Sequence, residues 1–124
     1  MFCLACKSRE FIDKGNIHGI GFGNLPTSMT EVNQARQGNV NRYYGVQNQD
    51  INTFNEILVS VVKRSIADFI LKSLTFHQFY LELKLRFNRS IIKLIQENEP
   101  KEMESLVNLI YEAKTEMYYS YQKV

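Results

Sequence analysis

The uneven distribution of glycine is the feature that most constrains how this chain can fold. All six glycines lie within the first 45 residues, and none occurs in the 79 residues that follow. Glycine costs about 1 kcal/mol relative to alanine inside a helix, so a glycine-free segment can carry long helices that a glycine-rich segment cannot. We therefore expect a Gly/Asn-rich N-terminal arm over residues 1–48 and a helical body over residues 49–124 that forms a single domain.

Capping signals and apolar spacing predict the first two helices of the body. The first opens at Asp50 or at Thr53, which stands three residues before Glu56 in the pattern of a capping box. The second begins after Ser73 or Thr75, and Thr75 opens another such box. The apolar stripes at three- and four-residue steps are Ile51, Phe54, Leu58, Val61, Val62, Ile66, Phe69 and Ile70 in the first helix, and Phe76, Tyr80, Leu83, Phe87, Ser90 and Leu94 in the second.

The third helix is predicted to start at Pro100 and to run to the end of the chain. Proline suits the first helical position because its missing N–H would be unpaired there. The connections between the three helices are short, which favours antiparallel neighbours. The expected fold class is all-α: a three-helix antiparallel bundle preceded by a loop-rich N-terminal arm with short helical elements. The apolar seam of the last helix is Met103, Leu106, Ile110, Ala113, Met117, Tyr121 and Val124.

The arm carries weaker signals. A capping box at Ser28 predicts a short helix over residues 29–37, with Gly38 as its C-terminal glycine. Residues 2–14 fit either a helix or a strand. Residues 16–24 are predicted to form an irregular loop, in which the glycines at 19, 21 and 23 indicate a hinge or a binding loop more than a phosphate-binding motif.

Composition excludes several classes of protein. With 124 residues and 44% hydrophobic residues, the chain has the size of one globular domain and is too apolar to be wholly disordered. The longest apolar runs predict no transmembrane span, and the N-terminal residues do not have the pattern of a secretory signal. We expect a cytoplasmic protein, since two cysteines cannot build a disulfide scaffold.

The two cysteines stand in a Cys3-x-x-Cys6 pattern that leaves three interpretations open. They could supply two zinc ligands, with His18 and His77 as the other available ligands, or form a redox pair, or be ordinary thiols. The histidines are far apart in sequence and no strand–helix pattern follows the motif, which favours ordinary thiols. No arrangement of nucleophile, base and carboxylate appears, so we expect no enzymatic activity, no catalytic residue, no metal and no cofactor.

The second helix is basic, and this suggests one alternative function. Residues 49–96 carry seven basic against four acidic residues, whereas residues 97–124 carry six acidic against three basic ones. The row Lys84, Arg86, Arg89 and Lys93 could contact phosphates, as in a small nucleic-acid-binding regulator. The net charge of the whole chain, +2, is low for such a protein.

Tyrosines are concentrated near the C-terminus and favour a role in protein binding. Tyrosine is enriched at interfaces because it buries a large area at low entropic cost and keeps a polar tip. We therefore expect a protein partner or a homo-oligomer. The candidate interaction residues are Tyr111, Tyr118, Tyr119 and Tyr121, with Tyr43 and Tyr44 in the arm.

The helical body resembles the inner-rod subunits of type III secretion systems and, more distantly, the flagellar rod proteins. The segment from Asp50 to Leu58 is similar to that family's Ile-x-x-Phe-x-x-x-Leu opening. Asn98-Glu99-Pro100 resembles the Asn-Pro break before its last helix, with Glu inserted, and Glu116, Ser120 and Lys123 fall at its polar positions. The resemblance implies a non-enzymatic bacterial subunit that is exported and packs helix to helix in a rod. We expect a helical interaction or structural subunit.

Overall fold

The computed structural model describes residues 1–4, 6–15 and 18–120. For Pro100, which lies within this last range, it describes the backbone alone. The described chain is mostly helical and carries one small sheet. The elements in chain order are α1 (Ser8–Lys14), β1 (Gly19–Gly21), α2 (Met29–Gly38), α3 (Asn48–Leu71), α4 (Phe76–Glu97), α5 (Pro100–Thr115) and β2 (Tyr118–Ser120).

The starts of the three long helices follow their capping chemistry. Helix α4 begins after Thr75, whose side chain accepts from the Gln78 amide, so the capping box predicted there is confirmed. Helix α5 begins at Pro100 as predicted. Helix α3 begins earlier than expected, because Gln47 and Asp50 form its capping box, and the box predicted at Thr53 is wrong.

The C-terminal helix is shorter than predicted. Helix α5 ends at Thr115, and the expected continuation to Val124 is wrong for the described residues, since Tyr118–Ser120 form strand β2. The Glu116 carboxylate accepts a 2.6 Å hydrogen bond from the Asn24 amide at the point where the chain turns. The predicted seam residues Tyr121 and Val124 lie outside the described residues.

Strand β2 pairs with the arm. Antiparallel β1 and β2 join Gly19 to Ser120 and Gly21 to Tyr118, so part of the segment predicted as an irregular loop is a strand. The chain start lies along β1 in parallel, where Ile20 donates to the Met1 carbonyl over 2.8 Å and accepts from Cys3 over 3.0 Å. The first residues of the arm are therefore extended, and α1 follows them.

The arm also carries two short helices, of which α1 packs against this sheet. Helix α2 covers the predicted residues and is one residue longer, since Gly38 lies inside it and Asn39 caps it. At the start of α1, the Arg9 amide donates to the Phe22 carbonyl over 2.9 Å. Gly21 is required by this approach, because a Cβ there would lie 2.8 Å from the Arg9 nitrogen.

The arm and the helical body share one apolar core. The described stripe residues of the long helices are buried or half-buried as predicted, Phe54 and Phe87 being completely inaccessible to solvent, with two exceptions. Ile66 and Ile70 of α3, which were predicted to face the core, are 38% and 68% exposed, because they lie on the solvent side of that helix. The arm contributes large side chains to the same cluster, so it forms part of the core and does not only cover the body. The arm residues in the core are Ile20, Phe22, Leu25, Val32 and Val46.

Candidate functional site: two faces of helix α4

Helix α4 has an apolar core face and an apolar outer face. On the core side, Phe79, Leu83 and Phe87 are at most 2% exposed. On the opposite side, four large apolar side chains remain about half exposed, although a polar surface would be expected there. We call these four residues the outer stripe: Leu81 (50%), Leu85 (43%), Ile92 (53%) and Ile95 (48%).

The outer stripe has the spacing of a coiled-coil seam. Its residues follow each other at steps of four, seven and three, and Asn88 occupies the position that divides the seven-residue step into three and four. Such a pattern aligns side chains along one line of a helix, and a single asparagine in it is a feature that sets register in paired helices. This second series was not predicted, because the sequence also carries the apolar stripe that faces the core, and spacing alone does not distinguish a buried series from an exposed one.

Positive groups border the outer stripe. Lys114 of α5 donates a 2.9 Å hydrogen bond to the Asn88 side chain, and its ammonium lies 5.1 Å from the ring centre of Tyr111. On α4 itself, the Lys84 ammonium lies 4.8 Å from the ring centre of Tyr80. Near Ile95 the border is mixed, because Lys101 and Glu104 both line the same shallow depression as that residue.

A groove of about 440 Å³ lies on another side of α4, between α3 and α4. Arg64 of α3 and Arg89 and Lys93 of α4 line this α3–α4 groove, together with Ser60 and Ser90. Within the described parts of the chain, no carboxylate forms an ion pair with any of these three cations. The groove therefore carries three positive charges without an ion-pair partner.

The four cations predicted to form a phosphate-binding row are separated by the fold. Arg89 and Lys93 line the α3–α4 groove, whereas Lys84 lies over Tyr80. Arg86 also reaches the groove, but it hydrogen-bonds to Asp68 and forms a 3.5 Å ion pair with Glu82. The cation that joins Arg89 and Lys93 is instead Arg64 of α3, which no sequence pattern on α4 could indicate.

The predicted tyrosine cluster does not form a single patch among the described residues. Tyr111 is 55% exposed on α5, next to the Lys114 that binds Asn88, and Tyr44 is 83% exposed in the turn after α2. Tyr118 lies in β2, where its hydroxyl donates to Asp13 over 3.1 Å. Tyr121 lies outside the described residues.

Tyr43 is held inside the turn after α2. The Arg42 guanidinium lies 4.2 Å from the centre of its ring and also pairs with Glu112 of α5. Burial, followed by the Glu112 charge, raises the pKa of Tyr43 to about 12, against the opposing charge of Arg42. Arg36 donates to the Tyr43 carbonyl over 2.6 Å, which fixes the backbone of this turn.

Tyr119 belongs to an aromatic cluster that the sequence did not predict. Its ring stacks on Tyr80 with centres 5.2 Å apart, and the rings of His77 and His18 lie 5.4 and 5.7 Å away. The His18 Nε2 atom is 3.2 Å from the Tyr119 hydroxyl oxygen. This cluster connects β2 and the arm to the first turns of α4.

The cysteines have unremarkable surroundings in the structure. Cys3 is half-buried and Cys6 exposed, and both are free thiols. The Cys6 sulfur accepts a 3.4 Å hydrogen bond from the Leu25 amide. Among residues 1–4, 6–15 and 18–120, no group of three or more His, Cys, Asp or Glu side chains is placed to hold a metal ion.

None of the helices in the described part of the chain is both long and apolar enough to cross a bilayer. Comparison with protein-family models, with curated proteins and with solved structures gave no match to this chain.

Proposed function

We propose that this chain acts by binding another protein through the outer stripe of α4. The observation that carries the proposal is the seam of Leu81, Leu85, Ile92 and Ile95, each about half exposed and in line on one helix. Exposing large apolar side chains in a line opposes the hydrophobic effect, and such surfaces mark interaction sites in proteins. Tyr111 and Tyr44 are the predicted interaction residues with the largest exposed fractions of their side chains.

The long helices give this surface a rigid support. We infer that α3, α4 and α5 form the predicted antiparallel three-helix bundle. In support, Phe69 near the end of α3 contacts Phe79 near the start of α4, with ring centres 5.1 Å apart. At the other end of the pair, Ile57 and Leu94 line the same groove. A helix held in this way loses little further conformational freedom on binding.

The occupant that best fits the outer stripe is an amphipathic helix of a partner protein, with acidic residues beside its apolar face. The heptad spacing suits a helix, and Lys84 and Lys114 at the border favour carboxylates opposite them. A second copy of this chain fits less well. Symmetric pairing of α4 about Asn88 would bring each Arg89 and each Lys114 near its own counterpart, and like charges across an interface are unfavourable.

The remaining expectations from the sequence stand beside this proposal. A non-enzymatic, exported subunit of a secretion rod, as the resemblance implies, would use helix-to-helix packing of the same kind, but with copies of itself. Nucleic-acid binding requires the four predicted cations of α4 to act together. Of these four, Arg89 and Lys93 line the α3–α4 groove and have no ion-pair partner in the described part of the chain. The proposal of a protein partner therefore depends on the outer stripe and the cations at its border, and not on the α3–α4 groove.

Site-specific photo-crosslinking in the cell of origin tests the proposal. A photoreactive residue is placed at Leu85 or Ile92, and at Val59 as a control, because Val59 is 45% exposed on α3. We expect the stripe positions to label a helical peptide of another protein with apolar residues at three- and four-residue steps and acidic neighbours. With that partner purified, L85Q/I92Q should weaken binding at least about tenfold, whereas V59Q/I70Q should leave the dissociation constant unchanged.

Three results would contradict the proposal. One is labelling of the same peptide from Val59 as from Leu85, which would indicate non-specific contact. Another is a crosslink between two copies of this chain, confirmed by light scattering of the purified protein as an oligomer that L85Q/I92Q dissociates. That result would support the rod interpretation instead. The third is equal loss of affinity in the V59Q/I70Q control.

A further inference from the structure

We infer that the α3–α4 groove is a binding site for a small molecule in which a single phosphate is joined to an apolar or aromatic group, of the size of a nucleoside monophosphate. This site is distinct from the outer stripe and goes beyond the proposed protein binding. The groove's volume of about 440 Å³ lies in the range of small-molecule sites.

The phosphate would be held by the three groove cations that have no ion-pair partner among the described residues. Arg64 comes from α3, and Arg89 and Lys93 come from α4, so the fold brings them to one groove from two helices. Three like charges around one groove raise its positive potential, and a bound anion lowers that repulsion. The planar guanidinium group binds phosphate oxygens in pairs, which makes the two arginines the main contacts.

The groove also has an apolar floor. Val61 is 4% exposed, and Ile57 and Leu94 are half-buried; all three line the groove beside the cations. An inorganic anion alone would leave this floor in contact with water. A ligand that carries an apolar group next to its phosphate buries the floor and gains from the hydrophobic effect as well.

Carboxylates line one end of the groove and an arginine that is already paired lines the other, which limits the ligand to one phosphate. Glu56 and Glu97 line one end. At the other end Arg86 is held by Asp68 and Glu82, so its charge is already neutralised. A nucleic-acid strand passing along the groove would place one neighbouring phosphate against Glu56 and Glu97 and another beside the neutralised Arg86, whereas a single phosphate among the central cations avoids both ends.

Titration of the full chain with four probes tests the inference. The probes are adenosine monophosphate, adenosine, inorganic phosphate and a twelve-residue thymidine oligonucleotide. Binding of each probe is measured by calorimetry and by the changes in the protein's amide chemical shifts. We expect adenosine monophosphate to bind about tenfold more tightly than adenosine or inorganic phosphate, with the largest shifts around Ser60 and Ser90. R64Q/R89Q should weaken that binding at least about tenfold, and the charge-matched control K14Q/K63Q should not.

Each other outcome would overturn the inference. Equal affinity for adenosine monophosphate and adenosine would mean that the cations do not bind the phosphate. Equal affinity for adenosine monophosphate and inorganic phosphate would mean that the apolar floor of the groove does not contribute to binding. Tighter binding of the oligonucleotide with a steep salt dependence would indicate nucleic-acid binding instead. Equal weakening by K14Q/K63Q would indicate a general charge effect. The outer-stripe proposal is unaffected by any of these results, because no residue of the stripe lines the groove.

Discussion

The helical body and the N-terminal arm reach the same core by different routes. In the body, α3 and α4 start at local caps and α5 starts at Pro100, and each helix buries residues spaced along its own sequence, such as Phe54 in α3 and Phe87 in α4. In the arm, order depends on partners far away in sequence: Gly19 pairs with Ser120, and the Asn24 amide binds Glu116. Local signals thus build the long helices and α2, whereas long-range contacts build the strand and the extended segments of the arm.

This difference teaches where each region should be sensitive to mutation. A helix that is already favoured by its caps and spacing loses stability mainly when its core face is damaged. A glycine-rich segment, which has few local preferences, loses its structure when one close backbone contact is disturbed. The same contrast exists within α4, where the core face and the outer stripe are both apolar but only the core face is buried.

The largest effect is expected for Phe87→Ala. Phe87 is fully buried, so its truncation should lower the free energy of unfolding by about 3–5 kcal/mol through lost burial and the cavity left behind. Leu85→Ala on the outer stripe is the matched control and should change it by no more than about 0.5 kcal/mol. Urea denaturation measures both. Equal losses would show that the outer stripe is part of the fold's own core.

Gly21→Ala should damage the arm more than the body. The new Cβ would lie 2.8 Å from the Arg9 backbone nitrogen, which no side-chain rotation can relieve, and we expect a loss of about 2 kcal/mol. Gly38→Ala, where a Cβ meets nothing within 4 Å, should cost nothing. Amide hydrogen exchange should speed up in residues 19–21 while α4 stays protected. Uniform acceleration would show that arm and body unfold as one unit.

Thr75→Ala and Thr53→Ala compare an observed helix cap with a cap that the sequence predicts inside a helix. The Thr75 side chain accepts from the Gln78 amide, and its loss should cost about 1 kcal/mol. Thr53→Ala, at the capping box predicted from sequence but placed inside α3, should cost nothing, because alanine has the higher helix propensity. Thermal denaturation of the two variants checks this. A larger loss of thermal stability for Thr53→Ala than for Thr75→Ala would indicate that α3 starts at Thr53.

Ser65→Ala should stabilise the protein slightly. Ser65 is 0% exposed in α3, and its hydroxyl has no hydrogen-bond partner among residues 1–4, 6–15 and 18–120, so replacing it with a methyl group should add about 1 kcal/mol to the free energy of unfolding. Ser90→Ala is the control, since the Ser90 hydroxyl donates to the Arg86 carbonyl over 3.0 Å, and no gain is expected there. A destabilised Ser65→Ala would reveal a partner of that hydroxyl.

The sequence predicted the helices best where local chemistry is sufficient. The starts of α4 at Thr75 and of α5 at Pro100 were correct, because capping and the missing proline amide act within one helical turn. The start of α3 was misplaced because Thr53 and Glu56 have the same pattern as a real box. The end of α5 was misplaced because the residues after Thr115 keep helical spacing, although their backbone pairs with β1.

The candidate site was predicted only in part. Arg89 and Lys93 were identified as available cations, but the pairing of Arg86 with Asp68 and the arrival of Arg64 beside them depend on how α3 and α4 pack. Likewise, the spacing of Leu81, Leu85, Ile92 and Ile95 is visible in the sequence. Periodicity alone cannot say which of two apolar series on one helix is buried.

By itself, the sequence determined the positions of the long helices and the apolar residues available to their core. This is because helix propensity, capping and periodicity act between residues at most a few positions apart. Only the tertiary structure decided that Tyr118–Ser120 form a strand, that Arg64 shares a groove with Arg89, and that the outer stripe of α4 stays exposed. Each of these depends on contacts between residues distant in the chain, whose partners are selected when the whole core packs.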